Sequence, residues 1–217
     1  MIKNEPKRPQ SMGEEIANAI THGVGTLLSI AGAVVAIVYA AKFGDAYSVV
    51  SACLYGSGLI LLYLFSTLYH SLTNKKAKKV FRIFDHCSIF LLILCSYIPI
   101  CLSLLRGATG WVLFGINAFC TVLGIVLNSI NLERFKKLSM VLYIIMGWSA
   151  VFVCIPIFER VPLPGIVLLG AGGLAYTLGV IFYKLPKYKY MHSIWHMFVL
   201  AGSVLQYFFM LFYTLGR

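Results

Sequence analysis

His192-Ser-Ile-Trp-His196-Met-Phe-Val-Leu-Ala-Gly-Ser-Val-Leu-Gln-Tyr-Phe-Phe-Met-Leu-Phe-Tyr-Thr-Leu215 contains no Lys, Arg, Asp or Glu. From Ile194 onward it is long enough to cross a hydrocarbon core as a helix, which takes about 20 residues. Working back from it, six more apolar runs of similar length appear: Leu163–Phe182, Leu138–Ile157, Trp111–Asn128, Phe84–Leu104, Ser48–Tyr69 and Ile20–Ala41. The chain of 217 residues is 60% hydrophobic and 12% charged, with a mean hydropathy of +0.87. A soluble domain carries about 25% charged residues, so lipid is the solvent this composition suits. An open strand would leave backbone amides unpaired in lipid. The expected fold is therefore an all-α integral membrane protein, a seven-helix bundle over residues 20–217 preceded by a cytoplasmic tail and amphipathic lead-in over residues 1–19.

The net charge of +11 is distributed in a way that sets orientation. Lys3, Lys7 and Arg8 precede the first run, and Lys75, Lys76, Lys78, Lys79 and Arg82 lie between the second and third. Arg134, Lys136 and Lys137 separate the fourth from the fifth, and Lys184, Lys187 and Lys189 the sixth from the seventh. Lys42, Arg106, Arg160 and Arg217 alone fall in the other connections. The positive-inside rule then places the N-terminus in the cytoplasm and the C-terminus outside, in a multi-pass protein of the plasma membrane. Basic loops of this kind meet anionic headgroups. No basic-aromatic surface domain exists to carry a nucleic acid, so membrane lipids are the expected partners.

The first run is too long for the apolar region of a cleaved signal peptide and lacks a small-residue cleavage site, which makes it an anchor. Cys53, Cys87, Cys95, Cys101, Cys120 and Cys154 show no Cys-x-x-Cys spacing and read as small buried hydrophobes. Ser11 and Glu14 fit a capping box. From there Glu14, Asn18 and His22 recur every four residues as one polar stripe, either an interfacial amphipathic turn or part of a site.

His192 and His196, four apart, face the same way on a helix and can chelate one ion. His70 closes the second run and Asp85 opens the third. With the orientation above, all four reach the cytoplasmic depth of the bilayer. Ionisable groups in membrane spans are costly and usually functional, and three His ligands with an open fourth position describe catalytic zinc. His70, His192 and His196 are the expected Zn2+ ligands, Asp85 a base or orienter for a water, and Ser66, one turn before His70, a hydrogen-bonding partner. His86 points about 100° from Asp85 and suits a neighbouring carbonyl better than the ion. His22 sits at the right depth but is not required for a three-His site.

Glu14-Glu15…Asn18…Thr21-His22-Gly23, Ser66…Tyr69-His70, Phe84-Asp85-His86, Ser96-Tyr97-Ile98-Pro99 and His192…Trp195-His196 resemble segments of the bacterial haemolysin III proteins. Those belong to the progestin and adipoQ receptor family, which includes the adiponectin receptors. The resemblance spans essentially the whole chain. It implies a seven-helix bundle, N-terminus inside, with zinc near the cytoplasmic side on His70, His192 and His196, and Asp85 and Ser66 close by. It also implies a role in membrane-lipid homeostasis or haemolysis, and a kinship with ceramidases that suggests lipid-amide hydrolysis. Ser96-Tyr-Ile-Pro99 departs from the more usual Gly-Thr-Tyr-Thr-Pro-like stretch, which affects local packing and leaves the ligands in place.

Three functions follow. The first is a zinc-dependent hydrolase of lipid amides or esters, or a lipid sensor on the same scaffold. The second is a haemolysin-like cytolysin, against which the span middles count, since they carry no charged residue to line a pore. The third is a non-catalytic receptor with structural zinc; one of the opsin type is excluded by the orientation and by the absence of a Lys in the last run to hold retinal.

Overall fold

The computed structural model describes residues 8–216; residues 1–7 of the tail and lead-in expected over residues 1–19, and Arg217, lie outside the described residues. The described residues form an all-helical bundle with the α-helices α1 (Met12–Phe43), α2 (Ala46–Ser71), α3 (Lys75–Ile98), α4 (Ala108–Gly147), the short α5 (Cys154–Arg160), α6 (Leu163–Tyr183) and α7 (Met191–Tyr213). By length and composition, six helical stretches among the described residues can cross a membrane: Met12–Phe43, Ala46–Ser71, Lys75–Leu104, Ala108–Arg160, Leu163–Tyr183 and Met191–Tyr213.

Helix starts follow local chemistry. Ser11 and Glu14 form the expected capping box at α1, so α1 begins eight residues before the apolar run, and residues 12–19 are continuous with the span. Asp45 accepts from the Ser48 N–H at 3.0 Å to start α2. That bond, with Arg106 adding a second at 2.6 Å, holds the Asp45 carboxyl below its ordinary range. Asn74 accepts from the Lys76 and Ala77 amides, so α3 starts within the basic segment well before Phe84. Pro99 then removes one amide from the ladder, and residues Pro99–Leu104 continue as a π-helix.

The fourth and fifth apolar runs fall on one helical stretch of 53 residues, Ala108–Arg160. Straight, it would be about 80 Å long, more than twice a hydrocarbon core. It is not straight. Asn131 leaves helical geometry (φ −161, ψ 95), and its Oδ1 accepts from the Arg134 N–H at 3.0 Å, capping a second helical segment. Ser139 donates to Asn128 Oδ1 at 2.6 Å, and Asn117 Nδ2 to Ser149 Oγ at 3.0 Å. Residues 11 and 32 apart meet this way only if the chain doubles back. A 3-10 turn, Ser149–Val153, precedes α5. Tyr97 Oη holds that turn, donating to Gly147 O and accepting from the Ala150 N–H.

The interior is inverted relative to a water-soluble protein. The buried face of α1 is Glu14, Asn18, His22, Gly25, Ser29, Ala33, Ala36 and Ala40, whereas Leu27, Val34 and Val38 are exposed. Small residues allow helices to approach and polar ones bond across the contact, while lipid solvates the large apolar side chains. A core of Tyr55, Leu59, Tyr63 and Met210 joins α1, α2 and α7; Tyr97, Ile100, Leu113, Ile157 and Phe209 form a second cluster. At Gly124 the approach is closest. A Cβ there would lie 2.1–2.4 Å from three ring atoms of Phe90, a fully buried side chain. Gly124→Ala is expected to destabilise the bundle by about 1–3 kcal/mol, seen as a lower Tm in detergent. Adding Phe90→Leu should return most of the loss; an unchanged Tm in the single variant would refute the tight α3–α4 contact.

Candidate metal centre

Three histidines from two helices meet near one end of the bundle. The last turn of α2 supplies His70, and the first two turns of α7 supply His192 and His196. One ligand atom from each lies within 4.8 Å of the other two, a group that can hold a metal ion. His70 is 4% exposed and His196 fully buried. The Nε2 atoms of His70, His192 and His196 are all buried without a hydrogen-bond partner. Leaving such an atom unpaired costs about 1–3 kcal/mol; one cation in the middle would satisfy all three, so the donor set fits a metal.

The outward nitrogens of His70 and His196 explain why their Nε2 atoms face inward as acceptors. Glu15 Oε2 accepts from His70 Nδ1–H at 2.7 Å, while Lys78 holds the other carboxylate oxygen at 2.9 Å. Thr21 Oγ1 donates to the carbonyls of Ala17 and Asn18, so it accepts from His196 Nδ1–H at 3.2 Å. With Nδ1 protonated, Nε2 carries the lone pair. Such outer contacts fix both the tautomer and the ring direction of a ligand histidine.

The other sequence candidates separate by position. Asp85, 6% exposed, is buried at the start of the apolar part of α3; His86 Nδ1 lies 3.4 Å from its Oδ2, and His70 and Ser66 also face it. Ser66 Oγ is buried and unpartnered. His22 stacks on His196, ring centroids 3.5 Å apart and planes within 10°, and both of its nitrogens are unpartnered. It is not among the three grouped ligands. Asn18 Oδ1 accepts from Ser193 Oγ at 2.6 Å. Glu14 lies further out, bonded to Arg8, Ser11 and Tyr190. His86 Nδ1 donates to Arg82 O at 3.0 Å, the local carbonyl contact its helix position predicts. The six cysteines are free thiols.

Glu15 and Thr21 escaped the four-residue periodicity, which picks out Glu14, Asn18 and His22. Both lie in the segment Glu14–Gly23 that carries the family resemblance, but no role was read for them there; each sits next to a stripe residue on a helix whose polar face is wider than one row.

Beside this centre a cavity of about 310 Å³ runs through the bundle, with His22, Asp85 and His86 at its polar end and Ile100, Ile157 and Gln206 among the residues lining it further in; His70, His192 and His196 do not line it. From Asp85 to Ile100 along α3 is about 22 Å. A mainly apolar pocket with a few convergent polar groups at one end has the form of a small-molecule site.

Fold and site together define a multi-pass cell-membrane protein with a three-histidine cluster beside a largely apolar cavity. The chain belongs to the haemolysin-III related family, whose profile matches residues 10–207. It is 44% identical over 215 residues to Hemolysin-3 of Bacillus cereus, covering 99% of this chain and 98% of that one. It is likewise 44% identical over 200 residues to the Hemolysin-3 homolog of Bacillus subtilis (strain 168), covering 92% and 94%. A more distant relative is the human monocyte to macrophage differentiation factor, 28% identical over 205 residues, 90% of this chain and 82% of that protein.

Proposed function

We propose that this protein is a seven-span zinc protein that hydrolyses an amide or ester bond of a membrane lipid on its cytoplasmic side. The observation that carries the reading is the convergence of three buried, unpartnered imidazole nitrogens next to a largely apolar cavity lined by the buried carboxylate of Asp85 and by His22, which stacks on His196. Three imidazole donors suit zinc and leave a coordination position free. When bound there, zinc supplies Lewis acidity toward a carbonyl oxygen and makes a water acidic near neutral pH.

The chain's own residues do the rest. Glu15 and Thr21 hold His70 and His196 with their lone pairs inward. Asp85 accepts the proton of the attacking water and passes it to the leaving group. Ser66 Oγ and the two nitrogens of His22 offer hydrogen bonds to the scissile carbonyl and the headgroup, and the cavity takes the acyl chain. The test compares zinc-loaded with zinc-stripped protein for fatty-acid release from ceramides, acyl amides and esters, in detergent and in liposomes. Zinc-dependent release supports hydrolysis; no release above the stripped protein on any lipid leaves a sensor or a structural metal.

The seven-span count rests on the six candidate helical stretches together with the reversal at Asn131, which divides Ala108–Arg160 into two passes. An odd count puts the termini on opposite faces, and the basic residues put the N-terminus inside. A C-terminal alkaline phosphatase fusion is therefore expected to be active and a C-terminal fluorescent-protein fusion dark when exported unfolded. The reverse pattern would overturn both count and orientation. The names of the Bacillus relatives favour a second reading, membrane lysis; dye release from liposomes that does not depend on zinc would support it over hydrolysis.

A further inference from the structure

Tyr190 is the one residue other than glycine with a positive φ among the described residues (φ 62, ψ 5). It stands immediately before α7, two residues ahead of His192. A left-handed conformation disfavours a bulky side chain by roughly tenfold or more. No side chain caps α7 from Tyr190 itself. Instead the Tyr190 N–H donates to Glu14 Oε1 at 2.9 Å. Glu14, 3% exposed, is fixed in turn by both guanidinium nitrogens of Arg8 and by the Ser11 N–H.

The contacts continue inward along the same two helices. Asn18 meets Ser193 at 2.6 Å, Thr21 meets His196 at 3.2 Å, and His22 stacks on the His196 ring. From Glu14 to Thr21 the rise is about 10 Å, and from Tyr190 to His196 about 9 Å. The rungs therefore match along two helices running in the same direction. A slip of α7 by one residue would rotate the histidine pair by about 100°, away from His70.

We propose that Glu14 is a positioning residue for the histidine cluster: by holding Tyr190 left-handed it fixes where α7 begins, and with Asn18 and Thr21 it sets the register that brings His192 and His196 to His70. This rests on the reading of the three histidines as metal ligands. It gives the Glu14–Asn18–His22 stripe a task distinct from ligation, as the template face on which the metal-bearing helix is laid.

The test uses full-length detergent-purified protein and zinc in competition with a chromogenic chelator. Glu14→Ala is expected to lower zinc affinity by about 10–100-fold, the range for losing an outer contact to a ligand. Tyr190→Gly, which takes the left-handed conformation without penalty, should bind zinc like the wild type and should restore most of the affinity in the Glu14→Ala background. Ser11→Ala removes the capping box but leaves Glu14 on Tyr190, and should keep wild-type affinity. Unchanged affinity in Glu14→Ala, a loss that Tyr190→Gly fails to restore, or an equal loss in Ser11→Ala would each overturn the proposal.

If Glu14→Ala does not fold, Glu14→Gln serves instead, with a several-fold loss that Tyr190→Gly restores. A metal-independent arm follows amide exchange over residues 191–196 in zinc-stripped protein. Exchange should quicken in the Glu14 variant and slow again with Tyr190→Gly; no change overturns the clamp. A wild type that takes no zinc would sink the metal reading alone and leave the exchange arm to decide.

Discussion

His196→Ala and His192→Ala are each expected to lower zinc affinity by at least about a hundredfold, and wild-type protein to hold about one zinc per chain. A structural zinc contributes an apparent ~10–16 kcal/mol over four ligands, so one ligand carries about 3 kcal/mol, roughly two powers of ten. His70→Ala should behave the same way, because its Nε2 is buried and unpartnered like theirs. Glu15→Gln leaves all three ligands and loses the charged contacts to His70 Nδ1 and to Lys78; its loss belongs in the 10–100-fold range of outer contacts. His22→Ala keeps the three Nε2 donors and removes a stacked ring, so it should lose least. Elemental analysis and chelator competition measure all five. Full zinc content with unchanged affinity in both His192→Ala and His196→Ala would remove the cluster as a metal centre, whatever the lipid assays gave.

The order of those losses also shows which parts of the site could be read without coordinates. His192 and His196 were legible because i and i+4 on a helix share a face in any fold, and His70 and Asp85 because chain direction fixes which end of a span they occupy. Local spacing also predicted the His86 contact to a neighbouring carbonyl. The roles of Glu15 and Thr21 were not legible, although both stand in the segment that carries the resemblance. Which residue beside a polar stripe turns toward a ligand depends on the rotation of α1 against α2 and α7, and that rotation is set by side-chain packing such as Gly25 against Tyr63. Helices α1 and α3 start ahead of their apolar runs for a related reason, the first of them as the Ser11–Glu14 capping box predicts. Met12–Ala19 and Lys75–Ile83 keep their helical hydrogen bonds at headgroup level, where hydropathy has already fallen. The reversal at Asn131 left a trace in the polar pair Asn128 and Asn131, but apolar runs alone could not say that one would cap a returning helix and the other brace it. The cavity was invisible in sequence because Ile, Leu and Phe face lipid and an internal hollow with equal ease.

Asp85→Asn is expected to leave zinc content and fold intact while lipid hydrolysis falls by about 10²–10⁴-fold, the effect of removing a positioned general base. The substitution keeps size and one hydrogen-bonding oxygen and takes away the negative charge that would accept a proton from water. Asp85 is 6% exposed, lines the polar end of the cavity and is not one of the three grouped ligands, so its loss should act on turnover rather than on metal retention. Ser66→Ala, which removes a buried unpartnered hydroxyl, should cost less, because it takes away one hydrogen bond and no proton acceptor. Each variant needs two readouts on one preparation, zinc per chain and the rate of fatty-acid release from the best substrate of the wild type. If Asp85→Asn loses zinc in proportion to activity, Asp85 supports the metal rather than the water. If it keeps both zinc and full turnover, the proton is taken by some other group, and the buried carboxylate is a structural feature of the bundle.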